Sequence, residues 1–200
     1  SYQLILCGCS VMSTAESHSE SEPHMVVSNR TKLFLKLIET KEEKQLYFDI
    51  VQNFHSYVPQ KRVVGRHIGW LILLNGQPIG SIGISSYFLP EPKALKDFIG
   101  WEKEQFNKNF NSIAVNWRFT LMSNDLVQSI HNVGSQVLGL FVKIAPREWK
   151  KKYGNDLILL VSLVGAGKQG TVYKASGWTL IGKTAGSVCK KSTSGKTGYT

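Results

Sequence analysis

The run Leu163-Val-Gly-Ala-Gly-Lys-Gln-Gly-Thr-Val-Tyr-Lys-Ala-Ser-Gly-Trp-Thr-Leu-Ile-Gly-Lys-Thr-Ala-Gly186 decides the fold, because two architectures compete for it and the rest of the chain separates them. Gly165-x-Gly167-x-x-Gly170-x-Val172, followed by Tyr173-Lys174-Ala175, has the spacing of the lid that protein kinases fold over nucleotide phosphates. A kinase must then supply a helix glutamate, a catalytic-loop aspartate and a metal-binding aspartate, all C-terminal to the lid. Only 30 residues follow Gly170 and none is acidic, so that reading fails. A Walker A loop fails too, since Gln169 stands where Ser or Thr would hold magnesium. The other reading is a short helix carrying Tyr173, then a strand that begins near Trp178.

Working outward, further landmarks are Asp97-Phe-Ile-Gly-Trp101, Asn116-Trp-Arg-Phe-Thr-Leu-Met122, Ser135-x-x-Leu138, Trp149 with Tyr153-Gly154, and Gly182-x-Thr184-x-Gly186. With Gly170-Thr-Val-Tyr-Lys-Ala-Ser-Gly-Trp178 they resemble the DruA family of Druantia anti-phage systems, over about residues 63–186. More loosely the chain is similar to the phage Mom DNA-modification proteins. The resemblance implies an α+β (α/β-like) fold of GNAT type, a mixed β-sheet flanked by helices. It also implies a protein of phage-host conflict that acts on or binds DNA, with transfer of a small acyl-type group to a base amine as one activity. The alternative is a non-catalytic nucleic-acid-binding subunit of a defence or mobile-element complex, with partner proteins of that system.

The local patterns agree with a mixed sheet. Residues 66–74 and 78–86 are apolar runs joined by Asn75-Gly76, the strongest short signal for antiparallel strands. Gly80 and Gly83 in the second run point to a bulge or a close approach of backbone. Leu46, Ile50, Val51 and Phe54 share one helical face and predict a helix over 42–54. Residues 101–109 predict a short helix and 113–122 a strand. Val133, Val137, Leu138, Phe141 and Val142 predict a second amphipathic helix ending before Pro146. The unbroken apolar run 157–164 reads as a central strand buried on both faces.

Residues 1–28 are set apart as an N-terminal segment with a Ser/Glu-rich disordered linker, 29–186 as a single GNAT-like domain and 187–200 as a basic flexible tail. Without an initiator Met the chain reads as a fragment or a processed product. No apolar run approaches the roughly 18 residues that a membrane span requires, so the expected location is cytoplasmic, away from membranes. Cys7, Cys9 and Cys189 are an odd count without a Cys-x-x-Cys pair, which predicts neither a disulfide framework nor a metal site.

Charge points to a partner. Twenty-four Lys and Arg stand against 14 Asp and Glu, a net +10. Glu16, Glu20 and Glu22 are the only charged residues before position 29, so the remainder carries +13. Such an excess attracts polyanions, and DNA is the expected one. Lys143, Arg147, Lys150, Lys151 and Lys152, with Lys190, Lys191 and Lys196 of the tail, are the expected nucleic-acid contacts.

The candidate chemistry is thinner. An acyl-CoA pyrophosphate is normally cradled by a Gln/Arg-x-x-Gly-x-Gly/Ala loop at a helix N-terminus. Here Ser123–Ser135 fills that place and only Gly134 survives of the pattern, so acyl-CoA is a doubtful cofactor. Asn132, Gly134 and Ser135 are the residues of that helix end that can hold an anion. Arg118 reads either as a guanidinium gripping phosphate or carboxylate, or as a solvated side chain on an alternating strand. Asp125 is a proton acceptor or a helix cap, and His131 a general acid or base or a surface residue. Tyr173 takes the position of the GNAT tyrosine that protonates a departing thiolate, or else is a wedge between sheet and helix. Trp101, Trp117, Trp149 and Trp178 read as core residues or stacking platforms. Arg118, Asp125, Ser135 and Tyr173 form the candidate catalytic set, and Arg118, Ser135 and Tyr173 the polar lining of a cleft between strands 116–122 and 157–164.

Overall fold

The computed structural model describes residues 2–9, 25–28, 31–55, 63, 65–86, 93–165 and 167–184. They build an eight-stranded sheet from β1 (Gln3–Gly8), β2 (Met25–Ser28), β3 (Thr31–Leu37), β4 (His67–Leu74), β5 (Gln77–Ser86), β6 (Ile113–Leu121), β7 (Leu159–Val164) and β8 (Thr179–Lys183), in the order β2-β3-β4-β5-β6-β7-β1-β8. Every neighbouring pair is antiparallel except β6 and β7. A parallel pair needs a long crossover, and α5 (Val133–Tyr153) supplies it. The other helices are α1 (Lys41–Phe54), α2 (Lys93–Ile99), α3 (Lys103–Asn109), α4 (Asp125–Gln128) and α6 (Thr171–Ala175). This is an α+β fold, a mixed sheet flanked by helices, as the landmarks implied.

Period-two alternation sorts the core onto two faces. Trp70, Ile72, Leu74, Ile82, Ile84, Ala114 and Leu160 face α5, which brings Val137, Leu138, Phe141 and Trp149. On the other face, Leu71, Leu73 and Trp117 meet Tyr47, Ile50 and Val51 of α1, while Val115 and Val161 meet Leu95 of α2 and Phe106 of α3. The Asn75-Gly76 hairpin forms as its sequence predicts, with both residues at positive φ. Thr40 and Glu43 start α1 with a reciprocal capping box.

Two expectations need correcting. The helix expected to stop before Pro146 runs on to Tyr153, with Pro146 inside it. Trp149, fully buried, holds the far half on the sheet and donates its indole N–H to the Asn111 carbonyl at 3.2 Å, which outweighs the backbone hydrogen bond lost at proline. The N-terminal segment is also not separate throughout. Gln3–Gly8 lies between β7 and β8 with consecutive Leu4, Ile5 and Leu6 buried, as expected of an interior strand covered on both faces. Residues 10–24, the bulk of the linker, and the tail from 185 onward, with Cys189, Lys190, Lys191 and Lys196, lie outside the described residues.

Candidate functional site: a cationic cleft between two parting strands

The parallel ladder between β6 and β7 is short. Ile113, Ala114 and Val115 pair with Leu159, Leu160 and Val161, after which the strands part. The wedge beyond Val115 and Val161 is a cleft of about 680 Å³, within the range of small-ligand sites. Asn116, Trp117, Arg118, Phe119 and Thr120 form one wall, Ser162 to Gly165 the other, with Lys168, Val172 and Tyr173 beyond. His55 and Phe54, from the end of α1, and Tyr2 complete the lining.

A bulge sets what β6 presents. Ile84 pairs with Asn116 but Gly83 pairs with Arg118, so Trp117 is an extra residue in the ladder. Simple alternation would put Asn116, Arg118 and Thr120 on one face. The bulge instead leaves Asn116 on the α5 side and turns Trp117 and Arg118 together toward α1. Gly83, paired with Arg118, lies against α1, where a Cβ would strike the hydroxyl of Tyr47. The close approach expected at Gly80 and Gly83 is thus real, since a Cβ on Gly80 would collide with the Thr120 carbonyl.

Arg118 lies half-buried with its guanidinium 4.9 Å from the centre of the Trp117 ring, and its Nη1 donates to the Trp117 carbonyl at 3.0 Å. Its Nε is buried without a hydrogen-bond partner, as are Asn116 Oδ1 and Thr120 Oγ1. Among the described residues Arg118 has no ion pair, and no carboxylate lines the cleft. Burial lowers the guanidinium pKa, partly offset by Tyr47, but an arginine stays charged. Burial, then Arg118 and Lys168, pushes the His55 imidazole down to about 4, so His55 is neutral at neutral pH. On the other side Asn116 Nδ2 donates to the Tyr173 hydroxyl at 2.9 Å, and the Tyr173 ring meets Phe119 and Trp178 edge-on.

Arg118 and Tyr173 therefore reach one cleft from opposite faces of the sheet, not as a single cluster. Ser135 does not line it: its hydroxyl donates back to the Asn132 carbonyl at 2.9 Å. Asp125 and His131 are exposed and stand away from the cleft, Asp125 in the first turn of α4 behind the Asn124 cap. Asn132 is an exposed N-cap at positive φ whose side chain makes no capping bond. Trp149 and Trp178 are core, Trp101 is half-buried, and Trp117 is a core residue that also borders the cleft. Sequence reasoning missed His55, Lys168, Phe54 and Tyr2. They come from three separate places in the chain, and nothing in their local patterns places them together.

The acyl-CoA cradle can be tested at the α5 N-terminus. There α6 packs on the first turn: a Cβ on Gly134 would meet Val172 Cγ1 at 2.9 Å, and Ser176 Oγ donates to the Ser135 carbonyl at 3.3 Å. With Gly134 committed to helix packing, Asn132, Gly134 and Ser135 do not fit a pyrophosphate. Cys7 and Cys9 are free thiols, Cys9 pushed up to about 12 by burial and then by Cys7. No described helix is long and apolar enough to cross a membrane.

The basic side chains of α5 form a second feature. Lys143, Arg147, Lys150 and Lys151 are exposed along the face turned away from the sheet. Lys150 pairs with Asp156 at 2.8 Å, while Lys152 donates to the His67 carbonyl at 3.1 Å. The stripe ends beside the start of β6, about 25 Å along the helix from the turn nearest the cleft.

Set against known families, the model of Druantia protein DruA matches residues 12–190. The chain belongs to the DruA family. That match spans both the cleft strands and α5. A solved GCN5-related N-acetyltransferase from Kribbella flavida is similar at 10% identity with a TM-score of 0.48, over 91% of this chain and 55% of that one. The chain thus spans about half the length of that neighbour. None of the curated proteins matches. This DruA-family chain is a defence-related protein built on an α+β mixed sheet.

Proposed function

We propose that the chain is a nucleic-acid-binding component of an anti-phage defence system, with α5 tracking the sugar-phosphate backbone and the β6–β7 cleft taking an anionic group of the same ligand. The observation that carries this reading is Arg118. A half-buried cation without a carboxylate partner is unfavourable unless something else brings the charge. The orphaned Asn116 Oδ1 and Thr120 Oγ1 elsewhere in the cleft lining add polar groups that a ligand would satisfy.

Binding is favoured over acyl transfer for two reasons. The α5 N-terminus does not offer the pyrophosphate cradle, and Asp125 stands outside the cleft. His55 lines the cleft but, pushed down to about 4, is a weak base near neutral pH, so acid–base catalysis has little support there.

Electrophoretic mobility shifts with DNA at increasing salt test the reading. Retention at low salt should fall steeply, since each neutralised phosphate adds about 0.7–0.9 to the logarithmic slope. Lys143→Glu with Arg147→Glu should weaken retention of any sequence. Retention indifferent to salt, or unchanged by that reversal, would remove the α5 interface.

A further inference from the structure

We infer that the β6–β7 cleft captures the end of a strand, seating a terminal phosphomonoester at Arg118 with the terminal base stacked at its mouth. This rests on nucleic-acid binding as proposed above and adds which part of the ligand enters.

The shape argues for end-on entry. Pairing of Val115 with Val161 closes the wedge, so the cleft is blind where the strands meet. Arg118 is half-buried within it, near the ring of Trp117. A phosphodiester inside a strand carries sugar on both sides and rides on the outside of a duplex. It cannot bring its oxygens to a recessed guanidinium without bending the chain sharply. A terminal phosphate has one ester bond only and can enter first.

Charge and rim agree. A phosphomonoester carries about −1.5 to −2 near pH 7, against one charge for an internal phosphate. The cleft offers Arg118 and Lys168 with no carboxylate among its lining residues. Arg118 presents a rigid fork of donors suited to phosphate oxygens. Of the cleft's lining residues, Phe54 and Tyr2 are 40% and 42% exposed, aromatic rings on which a terminal base can stack. Stacking on such rings tolerates any base, so end capture would be independent of sequence.

The test uses one single-stranded oligonucleotide in three forms, with 5′-phosphate, with 3′-phosphate, and with hydroxyls at both ends, titrated by fluorescence anisotropy at fixed salt. One phosphorylated form should bind at least tenfold more tightly than the hydroxyl form, and which one identifies the end. Arg118→Ala should remove that gain, so that within the variant the phosphorylated and hydroxyl forms bind alike. Phe54→Ala should weaken the phosphorylated form about tenfold, with thermal melting checking that both variants fold. Equal affinity for all three forms overturns end capture and leaves α5 binding intact. A phosphate preference that survives Arg118→Ala overturns the assignment to the cleft. Failure of every form to bind removes nucleic-acid binding as well.

Discussion

The amide of Asn116 donates to the hydroxyl of Tyr173 over 2.9 Å, and this bond ties β6 to α6 at the edge of the cleft. Asn116 is 7% exposed and its Oδ1 is already unpartnered. Tyr173→Phe would leave the whole amide unsatisfied, which costs about 1–3 kcal/mol. Urea denaturation should show that loss. A change near zero would mean that the amide finds another partner and that α6 is held by packing alone.

Gly83 faces Tyr47 so closely that a Cβ would strike its hydroxyl. Gly83→Ala should therefore destabilise the protein by about 1–3 kcal/mol through overpacking. Tyr47→Phe removes the obstructing oxygen and should recover most of that loss in the double variant. If the two changes simply add, Tyr47 is not what excludes a side chain at position 83.

β1 is a structural strand. Leu6 is 1% exposed between β7 and β8, and Leu6→Ala should cost about 2–5 kcal/mol. Removing residues 1–9 should lower the melting temperature sharply and detach β8. A truncated chain with unchanged melting would show that β8 pairs directly with β7.

The physics behind this contrast explains what the sequence made legible. The β4–β5 hairpin was readable because Asn75-Gly76 is a local turn signal, and α1 because its stripe and cap are local too. β1 was not, since its partners lie more than 150 residues away and a six-residue apolar run says nothing about pairing. The cleft position followed from where β6 and β7 should part. Its lining did not, because one bulged residue moves Arg118 off the face of Asn116, and because His55, Lys168 and Tyr2 meet only in three dimensions.

His67 gives a pH signature. Burial, then Lys152 and Lys44, pushes its imidazole down to about 4, from about 6.5 in an unfolded chain. Between these values the unfolded state binds the proton and the folded state does not, so stability falls as pH drops from about 6.5 to 4. For this largely buried ring the loss is on the order of 2–3 kcal/mol. Urea midpoints measured across that window should decline in the wild type and less steeply in His67→Gln, where His55, also pushed down to about 4, keeps part of the dependence. Equal slopes in the two proteins would place the pH dependence elsewhere.

The central claim is that Arg118 is held without a carboxylate because its counter-charge arrives with a nucleic-acid ligand. The most direct measurement is the salt dependence of single-stranded DNA affinity for the wild type and Arg118→Ala, read beside urea stability. Affinity of a 5′- or 3′-phosphorylated strand should fall by about 1–3 kcal/mol in the variant, with the logarithmic salt slope reduced by about one. Folding stability should be unchanged or slightly raised, since removing an unpaired half-buried charge relieves its desolvation cost. Unchanged affinity together with a stability loss of about 3–5 kcal/mol, the signature of a broken buried pair, would contradict the account.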